Sequence, residues 1–343
     1  MISDNKKSLL ILLNWNGSED TLACCDSLTK DSEPYDVLII DNASEEENFS
    51  KLLHGLRGGV CEVVNDSLQD NALLDEYQVH VSAILRYGHK KLFVLRSSVN
   101  HGFAKGCNFG ARYASIYGYS SIMFLNNDTV VESDFFPKML TTLKNCDAVI
   151  PQIRYFHDKS LIWNCGGDIT KYGKRKYHFA NQHANCNVPG NLEFSITFAT
   201  GCALLFRTDY FIKIGMFSEK FFFGEEDIDL SLRLMKLQSK LICNPQAVIY
   251  HKVGASLAGD NTKLLRKAYI HYLNRFVNMK NHLGVMWFPW LIPSTIKIVI
   301  NLMRINKLSF GKSLHFAFKI LKDAFVLEEV NKSKFETILN KGY

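Results

Sequence analysis

Two short acidic clusters carry the residue types best suited to chemistry. The first, Asn126-Asn127-Asp128, follows the apolar run Ser121–Leu125, which predicts a buried strand. Ligands of open α/β sheets bind outside the carboxyl ends of the strands, so this strand would deliver one carboxylate and two amides to a binding edge. Mg²⁺ and Mn²⁺ take oxygen ligands and share the remaining positions with phosphates and water. Asp128 is therefore a candidate cation ligand, although an Asn/Asp turn that ends a strand has the same sequence.

The second cluster is Glu225-Glu226-Asp227, followed by Asp229. Acids gather at helix N-termini to satisfy free N–H groups and the helix dipole, and Asp229 with Arg233 makes an ordinary i,i+4 pair. Four carboxylates within five residues nevertheless exceed what capping needs. Because they follow Phe221-Phe222-Phe223, we expect them to be crowded and partly desolvated. Crowding and desolvation raise a carboxylate pKa, which suits a general base.

Two further segments are weaker candidates. The stretch Asn100–Gly110 has three glycines around a predicted helix start, where the backbone could approach a ligand closely. Its spacing matches neither the dinucleotide-binding fingerprint nor a P-loop. His251 ends another apolar run, and a lone histidine there is more often structural than a ligand. It becomes a metal candidate only if Asp128 already holds a cation.

The elements that must position these residues alternate between strand and helix, which predicts a parallel sheet with βαβ crossovers. We read residues 45–90 as an insertion, with a possible helix over Asp75–Arg86, and residues 151–198 as loops and short antiparallel strands that shape a cleft. The principal predicted strands are Ser8–Leu13, Asp36–Ile40, Lys91–Leu95, Ser121–Leu125, Ala148–Ile150, Ala203–Phe206, Leu241–Cys243 and Ala247–Tyr250. The predicted helices are Ser18–Lys30, Lys105–Tyr117, Asp134–Asn145, Thr208–Ile214 and an acidic helix that ends near Gln238.

Composition narrows the class of protein. With 343 residues, 47% of them hydrophobic and 22% charged, the chain resembles globular proteins rather than disordered ones. The nine cysteines include no C-x-x-C pair, so we expect buried thiols in a reducing compartment and no zinc site. The polar start of the chain, Met1–Lys7, predicts no secretory signal.

Residues 261–343 form a basic tail, with 14 Lys and Arg against 4 Asp and Glu. Helical periodicity makes it amphipathic, and Val285–Met303 is its most apolar stretch. That stretch contains Pro289, Pro293 and Lys297, whereas a spanning helix wants about 20 uninterrupted apolar residues. We expect it to lie in a membrane interface. Packing against the first 260 residues and a true span remain alternatives. Its aromatic residues argue for a membrane and against nucleic acid.

Taken in order, these segments resemble the family 2 glycosyltransferases of the GT-A fold, especially the bacterial rhamnosyltransferase-like branch that builds surface polysaccharides. The resemblance runs from about Leu9 to Ser256. Where the family has a D-x-D motif, this chain reads Asn-Asn-Asp, and residues 45–90 have no counterpart. The segments that match are Leu12–Asn16, Asp41–Ser44, Asn100–Asn108, Leu125–Asp128, Thr200–Ala203, Gly215–Phe222, Glu226–Arg233 and His251.

The resemblance implies an inverting transferase that acts by a single in-line displacement. Asp227 would be the general base, and Asp128 with His251 would hold Mg²⁺ or Mn²⁺ on the diphosphate of a UDP or dTDP sugar. Asp41 would bind the nucleotide base. The remaining donor-side residues would be Asn14, Asn100, Gly102, Asn108, Asn126 and Asn127, and the acceptor-side residues Gly201, Glu226 and Asp229.

The resemblance also implies a cellular setting and a domain division. The acceptor would be a lipid-linked saccharide in O-antigen- or capsule-type synthesis, at the inner face of the cytoplasmic membrane. Residues 1–260 would be the GT-A domain, and residues 261–343 the membrane-associated tail.

Two other classes compete with this interpretation. A sugar nucleotidyltransferase would need a cationic, Gly-rich loop after the first strand, whereas Asn14–Asp20 is acidic and has no cation. A non-catalytic carbohydrate-binding or scaffold protein of the same fold would not need Asp128, Asp227 and His251 together. Metal-dependent binding and hydrolysis of a nucleotide sugar would separate these classes.

Overall fold

A computed structural model of the chain describes residues 7–31, 34–58, 62–63, 71–87, 90–184, 192–253 and 261–343. Its strands are β1 Ser8–Asn14, β2 Tyr35–Asp41, β3 Glu62–Val63, β4 Val79–Tyr87, β5 Lys90–Ser97, β6 Ser121–Asn126, β7 Thr129–Val131, β8 Ala148–Tyr155, β9 Ile162–Asn164, β10 Gly167–Ile169, β11 Arg175–Tyr177, β12 Phe194–Ile196, β13 Ala203–Arg207 and β14 Leu241–His251.

The helices cover both faces of the sheet and form the C-terminal tail. They are α1 Ser18–Thr29, α2 Glu46–Gly58, α3 Asn71–Glu76, α4 Gly102–Ile116, α5 Phe135–Leu143, α6 Thr208–Lys213, α7 Glu226–Lys236, α8 Asn261–Leu283, α9 Trp287–Arg304, α10 Phe310–Val326 and α11 Lys332–Lys341. A single 3-10 turn, Gly284–Met286, joins α8 to α9.

The central sheet has the order β12-β14-β8-β13-β6-β1-β2-β5-β4-β3. Strands β6, β1, β2 and β5 are parallel, so their carboxyl ends lie on one edge. In this register Asn14 lies beside Asp41, and Leu13 lies beside Asn126. Strand β13 runs antiparallel to β6, with Ala203 opposite Leu125. The predicted mixed α/β sheet and its polar edge are therefore confirmed.

Each parallel strand is apolar because both of its faces are covered. Leu9 and Ile11 of β1 point into one core with helix α4, and Leu10 and Leu12 point into the other with α1 and α2. Where α4 crosses β1, a Cβ at Gly110 would lie 2.8 Å from Ile11, so the glycine permits the close packing. The strand carries polar residues only at its two ends, Ser8 and Asn14.

The prediction of a helix over Asp75–Arg86 is wrong. The chain leaves helix α3 at Glu76 and forms strand β4, which pairs antiparallel with β5. Residues 46–58, which we assigned to an insertion, are helix α2, and its Phe49, Leu52 and Leu56 belong to the main core. Residues 59–61, 64–70 and 88–89 lie outside the described part of the chain.

Residues 151–198 contain the predicted short antiparallel strands, including the hairpin β10–β11. Residues 185–191 of this region are not described. The two strands predicted over Leu241–Cys243 and Ala247–Tyr250 are one continuous strand, β14, with a register shift between Asn244 and Val248. That irregularity hides the continuity of β14 in the sequence pattern.

The tail packs against the sheet domain rather than standing apart from it. Helix α8 contributes Leu273, Phe276 and Val277 to a third core that also contains Phe198 and Ile228 from the first 260 residues. The backbone of Val330 pairs with the segment around Phe221. The helical prediction is confirmed, and the tail shares a hydrophobic core with the residues that precede it.

Candidate active site

The edge of the sheet brings Asp128 and His251 together. Strand β7 pairs with the end of β14, so His251 faces Thr129, and Lys252 N donates to Asp128 O at 3.0 Å. His251 Nε2 lies 3.1 Å from Asp128 Oδ1. Buried Asp128 Oδ1 and His251 Nδ1 nevertheless have no hydrogen-bond partner. Two cis ligands of an octahedral cation at about 2.1 Å would be roughly 3 Å apart, so the pair fits a divalent ion.

The rest of the coordination would have to come from elsewhere. Among the described residues, no group of three His, Cys, Asp or Glu side chains is placed to hold a metal. Burial lowers the pKa of His251, but the Cys202 thiol and the Asp128 carboxylate outweigh it and raise that pKa to about 10. A cation on His251 must therefore displace a proton. Asp128 and His251 alone make an open site that suits diphosphate oxygens as further ligands.

Asn14, one of the predicted donor-side residues, is fully buried. Its Nδ2 donates to Asp41 Oδ1 at 2.7 Å and to Ser44 Oγ at 3.2 Å. Its Oδ1 accepts from Thr21 Oγ1 at 2.9 Å and from the backbone of Gly17. Since both ends of the amide are used inside the protein, Asn14 joins the ends of β1 and β2 instead of contacting a ligand.

Asp41, predicted to contact the nucleotide base, is bonded within the protein. Asp41 is fully buried, and Ser44 Oγ and Asn14 both donate to Oδ1. Ser44 N donates to Oδ2 at 3.1 Å, and Arg96 Nε lies 3.6 Å away. A carboxylate with both oxygens occupied holds the loop after β2, and the base would have to be recognised by the surface of that loop.

Asn126 and Asn127 are half-buried at the end of β6. Asn126 N donates to Cys202 O at 2.8 Å, which connects β6 to the segment before β13. Asn127 Nδ2 donates to Thr21 Oγ1 at 2.9 Å. A Cβ at Gly17 would lie 2.7 Å from that Nδ2, so the glycine lets the loop after β1 close over Asn127.

The glycine segment is tied to the first two loops by Asn42, a residue that the sequence analysis missed. Asn42 Nδ2 donates to Asn100 Oδ1 at 3.0 Å and to Gly102 O at 3.1 Å. Asn100 Oδ1 also accepts from Gly102 N. Gly102 has φ +78°, and a Cβ there would lie 2.1 Å from the carbonyl oxygen of Phe222. Only glycine fits, because the backbone is left-handed and the acceptor-side loop touches it.

Asn108 is buried one turn further along α4 and does not reach the crevice. Its Nδ2 donates to Phe217 O and to Glu219 Oε1, and its Oδ1 accepts from Phe217 N. The predicted donor contact of Asn108 stays a prediction, since both ends of its amide are bonded within the protein. Asn108 links helix α4 to the segment that precedes the acidic cluster.

The acidic cluster begins with a residue in a left-handed conformation. Glu225 has φ +76° and is buried. Arg275 Nε lies 2.8 Å from Glu225 Oε2, and Asn278 Nδ2 donates to the same oxygen at 3.1 Å. A non-glycine residue with positive φ persists only when its surroundings hold it, and here helix α8 of the tail provides the partners.

Glu226 and Asp227 begin helix α7 and are half-buried. Burial and the neighbouring charge of Asp227 raise the pKa of Glu226 to about 8, and its Oε2 has no hydrogen-bond partner. Burial raises the pKa of Asp227 to about 6, while the Arg175 guanidinium opposes that rise. The two groups interact, so they titrate as a pair. At neutral pH this pair holds one proton on Glu226 and one negative charge on Asp227.

Asp229 faces away from this pair. Its two oxygens bind His282 Nε2 and Arg233 Nε, each at 2.8 Å. Burial alone would raise the pKa of Asp229, but His282 and Arg233 together hold it below its usual value. The predicted i,i+4 pair is confirmed. Asp229 therefore anchors helix α7 to the tail and shapes the acceptor side only indirectly.

Two consecutive residues connect the cation pair with the acidic cluster. A Cβ at Gly201 would lie 3.9 Å from Asp227 Cβ and 3.7 Å from Phe103. The next residue, Cys202, accepts from Asn126 N and interacts with His251. Asp227 and the pair Asp128–His251 therefore border neighbouring residues of one short segment.

Comparison with known proteins identifies the class of this site. Residues 61–215 match the family model "Glycosyl transferase family 2". The match contains the glycine segment and Asn126-Asn127-Asp128. Over these residues the chain is similar to the family 2 glycosyltransferases. Its relatives include "dTDP-rhamnosyl transferase RfbF" of Shigella flexneri, which is 24% identical over 269 residues, or 74% of this chain and 83% of that protein.

Two solved structures share the architecture of this glycosyltransferase. One is GalNAc-T7 with UDP, GalNAc and Mn²⁺, with a TM-score of 0.56, 13% identity and coverage of 98% of this chain and 57% of the other. The glycosyltransferase thus spans somewhat more than half of that protein's length. The other is the mannosyltransferase PcManGT from Pyrobaculum calidifontis with GDP-Man and Mn²⁺, with a TM-score of 0.52, 11% identity and coverage of 94% and 76%. At such identities the likeness establishes the GT-A fold.

Family and fold together make the protein a GT-A glycosyltransferase that uses a nucleotide-sugar donor. This confirms the enzyme class and the rhamnosyltransferase-like resemblance predicted from the sequence. These findings favour a glycosyltransferase over the non-catalytic and nucleotidyltransferase alternatives.

Proposed function

We propose that the enzyme transfers a sugar from a UDP or dTDP sugar to a saccharide acceptor with inversion at the anomeric carbon. The observation that carries this proposal is the meeting of a proton acceptor and a cation pair across Gly201-Cys202. An inverting transfer needs a base beside the attacking hydroxyl and positive charge beside the leaving diphosphate, on opposite sides of the reacting carbon.

Asp227 is the group that would take the proton. With a pKa raised to about 6, it is ionised at neutral pH yet more basic than an ordinary aspartate. Glu226, whose pKa is raised to about 8, is protonated there and leaves the negative charge on its neighbour. Removal of the acceptor proton by Asp227 would make the hydroxyl a stronger nucleophile as the bond to the anomeric carbon forms and the bond to the diphosphate breaks.

Asp128 and His251 would hold a divalent cation, Mg²⁺ or Mn²⁺. Asp128 Oδ1 lies 3.1 Å from His251 Nε2 and has no hydrogen-bond partner, and a carboxylate beside an imidazole fits such an ion. When bound, it supplies charge that stabilises the diphosphate as it leaves. Both solved structures described above hold Mn²⁺ with a nucleotide or nucleotide sugar, which supports the same arrangement here.

Substitution of Asp227 by Asn tests the chemical step. General-base catalysis contributes about 10²–10⁴-fold, so D227N should lose at least about 100-fold in transfer while binding the donor normally. Transfer is measured as the release of UDP or dTDP, and donor binding is measured by calorimetry. The matched control E47Q changes an exposed carboxylate on helix α2 and should retain full activity. Near-normal transfer by D227N would refute the assignment of the base.

We further propose that the acceptor is lipid-linked, that the tail lies on the inner face of the cytoplasmic membrane, and that the product enters a surface polysaccharide. Helix α9 exposes an apolar stripe, defined as Phe288, Ile292, Ile296 and Ile300, whose side chains are between 42% and 67% exposed. The four-residue spacing places these side chains on one helical face. Helix α10 adds exposed Phe310, Leu314 and Phe318. Large exposed apolar patches mark interaction surfaces.

The geometry of the tail favours contact in the plane of the membrane. By length and composition, the described residues include one helical run, Thr262–Arg304, that could cross a bilayer. Its first half, α8, is fixed to the domain by Arg275 and Asn278, which hold Glu225. A helix held in that way cannot leave the domain, whereas the apolar stripe can rest on lipid with Lys297 and Arg304 beside anionic headgroups.

Sedimentation with lipid vesicles tests the membrane contact. The protein should bind vesicles that contain phosphatidylglycerol, and the variant I292E/I296E should bind at least about tenfold more weakly, because each isoleucine contributes roughly 1.5–3 kcal/mol when buried. I116E alters an exposed isoleucine at the end of helix α4 and serves as the control. Equal binding by both variants would contradict the proposal.

A further inference from the structure

A cavity of about 790 Å³ lies between the hairpin β10–β11 and helices α8 and α9. Such a volume is typical of small-molecule sites. The turn of the hairpin is fixed at two points: Trp290 Nε1 donates to Tyr172 O at 3.2 Å, and Arg275 Nη1 donates to Gly173 O at 2.6 Å. A Cβ at Gly173 would lie 2.7 Å from Met279 Sδ, so glycine allows this close contact. The walls of the cavity are therefore held in place.

The cavity is cationic. Lys174, Arg175, Arg275 and Lys297 line it, and none of the described lining residues is acidic. Arg275 is neutralised by Glu225. Within the described part of the chain, no carboxylate lies within ion-pair distance of Lys174, Arg175 or Lys297. Arg175 acts on Asp227 electrostatically but makes no ion pair with it. Such an excess of positive charge favours an anionic ligand, and phosphate esters are among the anions that Arg and Lys bind.

The cavity also offers aromatic surface. Tyr172, Tyr177, Tyr272 and Trp290 line it together with the cations. Arg175 Nη1 lies 3.2 Å from the hydroxyl oxygen of Tyr177, so one wall presents both a charge and a polar ring edge. Aromatic rings with polar tips suit ligands that are apolar on one side and hydrogen-bonding on the other, as sugars are.

The cavity lies between the two parts of the molecule that the proposed function uses, the base Asp227 and the apolar stripe of helix α9. At one end, Arg175 and Arg275 lie close enough to Asp227 to influence its charge. At the other end, Pro289, Pro293 and Lys297 of helix α9 line the cavity and alternate along the helix with the exposed stripe residues Ile292 and Ile296. A ligand in the cavity would extend from the base towards the lipid-facing helix.

We propose that this cavity is the subsite for the phosphate or diphosphate ester that joins the acceptor saccharide to its lipid, with Arg175 and Lys297 binding the phosphate oxygens. The inference rests on the proposed function and deepens it. The sugar would point towards Asp227, and the hydrocarbon chain would continue onto the apolar stripe. The cations would thereby select acceptors that carry a phosphate over free saccharides of the same structure.

Calorimetric binding of farnesyl diphosphate to the full chain tests the subsite. Farnesyl diphosphate should bind at least about tenfold more tightly than either inorganic diphosphate or farnesol, because only it supplies both charge and chain. R175Q and K297Q should each weaken this binding about tenfold, the usual loss for one charge-assisted contact. K176Q changes an exposed lysine on the same hairpin that does not line the cavity, and should bind as the unchanged protein does.

Three outcomes would overturn the subsite. The first is that R175Q and K297Q bind farnesyl diphosphate as tightly as the unchanged protein does, and the second is that K176Q loses as much affinity as they do. The third is that inorganic diphosphate binds as tightly as farnesyl diphosphate. The last would show an anion site with no preference for a lipid ester. The proposed transfer fails separately. If no donor supports transfer but farnesyl diphosphate binding depends on Lys297, the subsite stands without that function. If D227N abolishes transfer while farnesyl diphosphate binding ignores the cations, the function stands without the subsite.

Discussion

The proposed donor and acceptor sides of the active site use polar residues in opposite ways. On the proposed donor side, Asn14 and Asp41 are buried, and their polar atoms are bonded within the protein. On the acceptor side, Glu226 and Asp227 have raised pKa values, and Glu226 Oε2 lacks a partner. A network in which every polar group is hydrogen-bonded makes the local structure rigid, whereas a desolvated carboxylate with a raised pKa is suited to accept a proton. The donor side is therefore built for rigidity and the acceptor side for chemistry.

The largest effect should come from the cation pair, which lies between the two sides. Removal of divalent ions with EDTA, or the substitution Asp128→Asn, should lower transfer by at least about 100-fold, because metal stabilisation of a leaving group is worth several kcal/mol. Added Mn²⁺ or Mg²⁺ should restore the activity of the EDTA-treated protein but not that of D128N. Initial rates of nucleotide release measure both.

The control for D128N is D134N, an exposed aspartate just beyond the same strand pair. It should keep full activity. Unchanged transfer after chelation would show that the reaction needs no divalent cation and would contradict the proposed role of Asp128 and His251.

The next largest effect concerns the stability of the acidic cluster, measured as the free energy of unfolding. Arg275→Met leaves Glu225 buried without its counter-charge, and breaking one partner of a buried pair typically costs about 3–5 kcal/mol. The free energy of unfolding in urea should fall by roughly 3 kcal/mol, the lower end because Arg275 is partly exposed. The exposed pair Lys51–Glu19 provides the contrast, since K51Q should cost less than about 1 kcal/mol. Equal losses would show that the acidic cluster does not depend on the tail.

The smallest expected effect concerns pH. Transfer should fall as pH drops through about 6, because Asp227 becomes protonated and can no longer accept a proton. Arg175 lowers this pKa, so R175Q should move the midpoint of the pH–rate profile upwards, with a rate loss of about twofold at pH 6 relative to the unchanged protein. R175K should restore the midpoint in part. A midpoint that moves downwards would contradict the assigned influence of Arg175.

Local patterns in the sequence predicted the central strands well because each is a continuous apolar run between polar ends. Strand β4 was not predicted in this way. Its pairing with β5 shifts register between Val81 and Ala83, which interrupts the alternation that would reveal a strand. The same kind of irregularity divided β14 in the prediction. Bulges are set by the neighbouring strand, so a single segment cannot show them.

The site was predicted in outline, but several roles within it were not. The structure places Asp128 beside His251, where β7 pairs antiparallel with β14, and Asp227 of helix α7 beside Gly201. The sequence could not show that Asp41 is fully buried, because its partner Arg96 lies 55 positions away on another strand. Nor could it show that Arg275 binds Glu225, since the periodicity of α8 records only that the helix is amphipathic. Long-range pairing of polar groups has no local signature.

The contacts of Glu225 and Asp229 with helix α8 set a limit on engineering. Both carboxylates are buried; Glu225 is held by Arg275 and Asn278 of the tail, and Asp229 is shared between His282 of the tail and Arg233 of its own helix. A chimaera that joined the first 260 residues to the tail of a relative would leave Glu225 without its counter-charge and Asp229 with Arg233 alone, unless that tail supplied the missing partners. An exchange of acceptor preference should therefore move helix α7 together with the tail, as a single inherited unit.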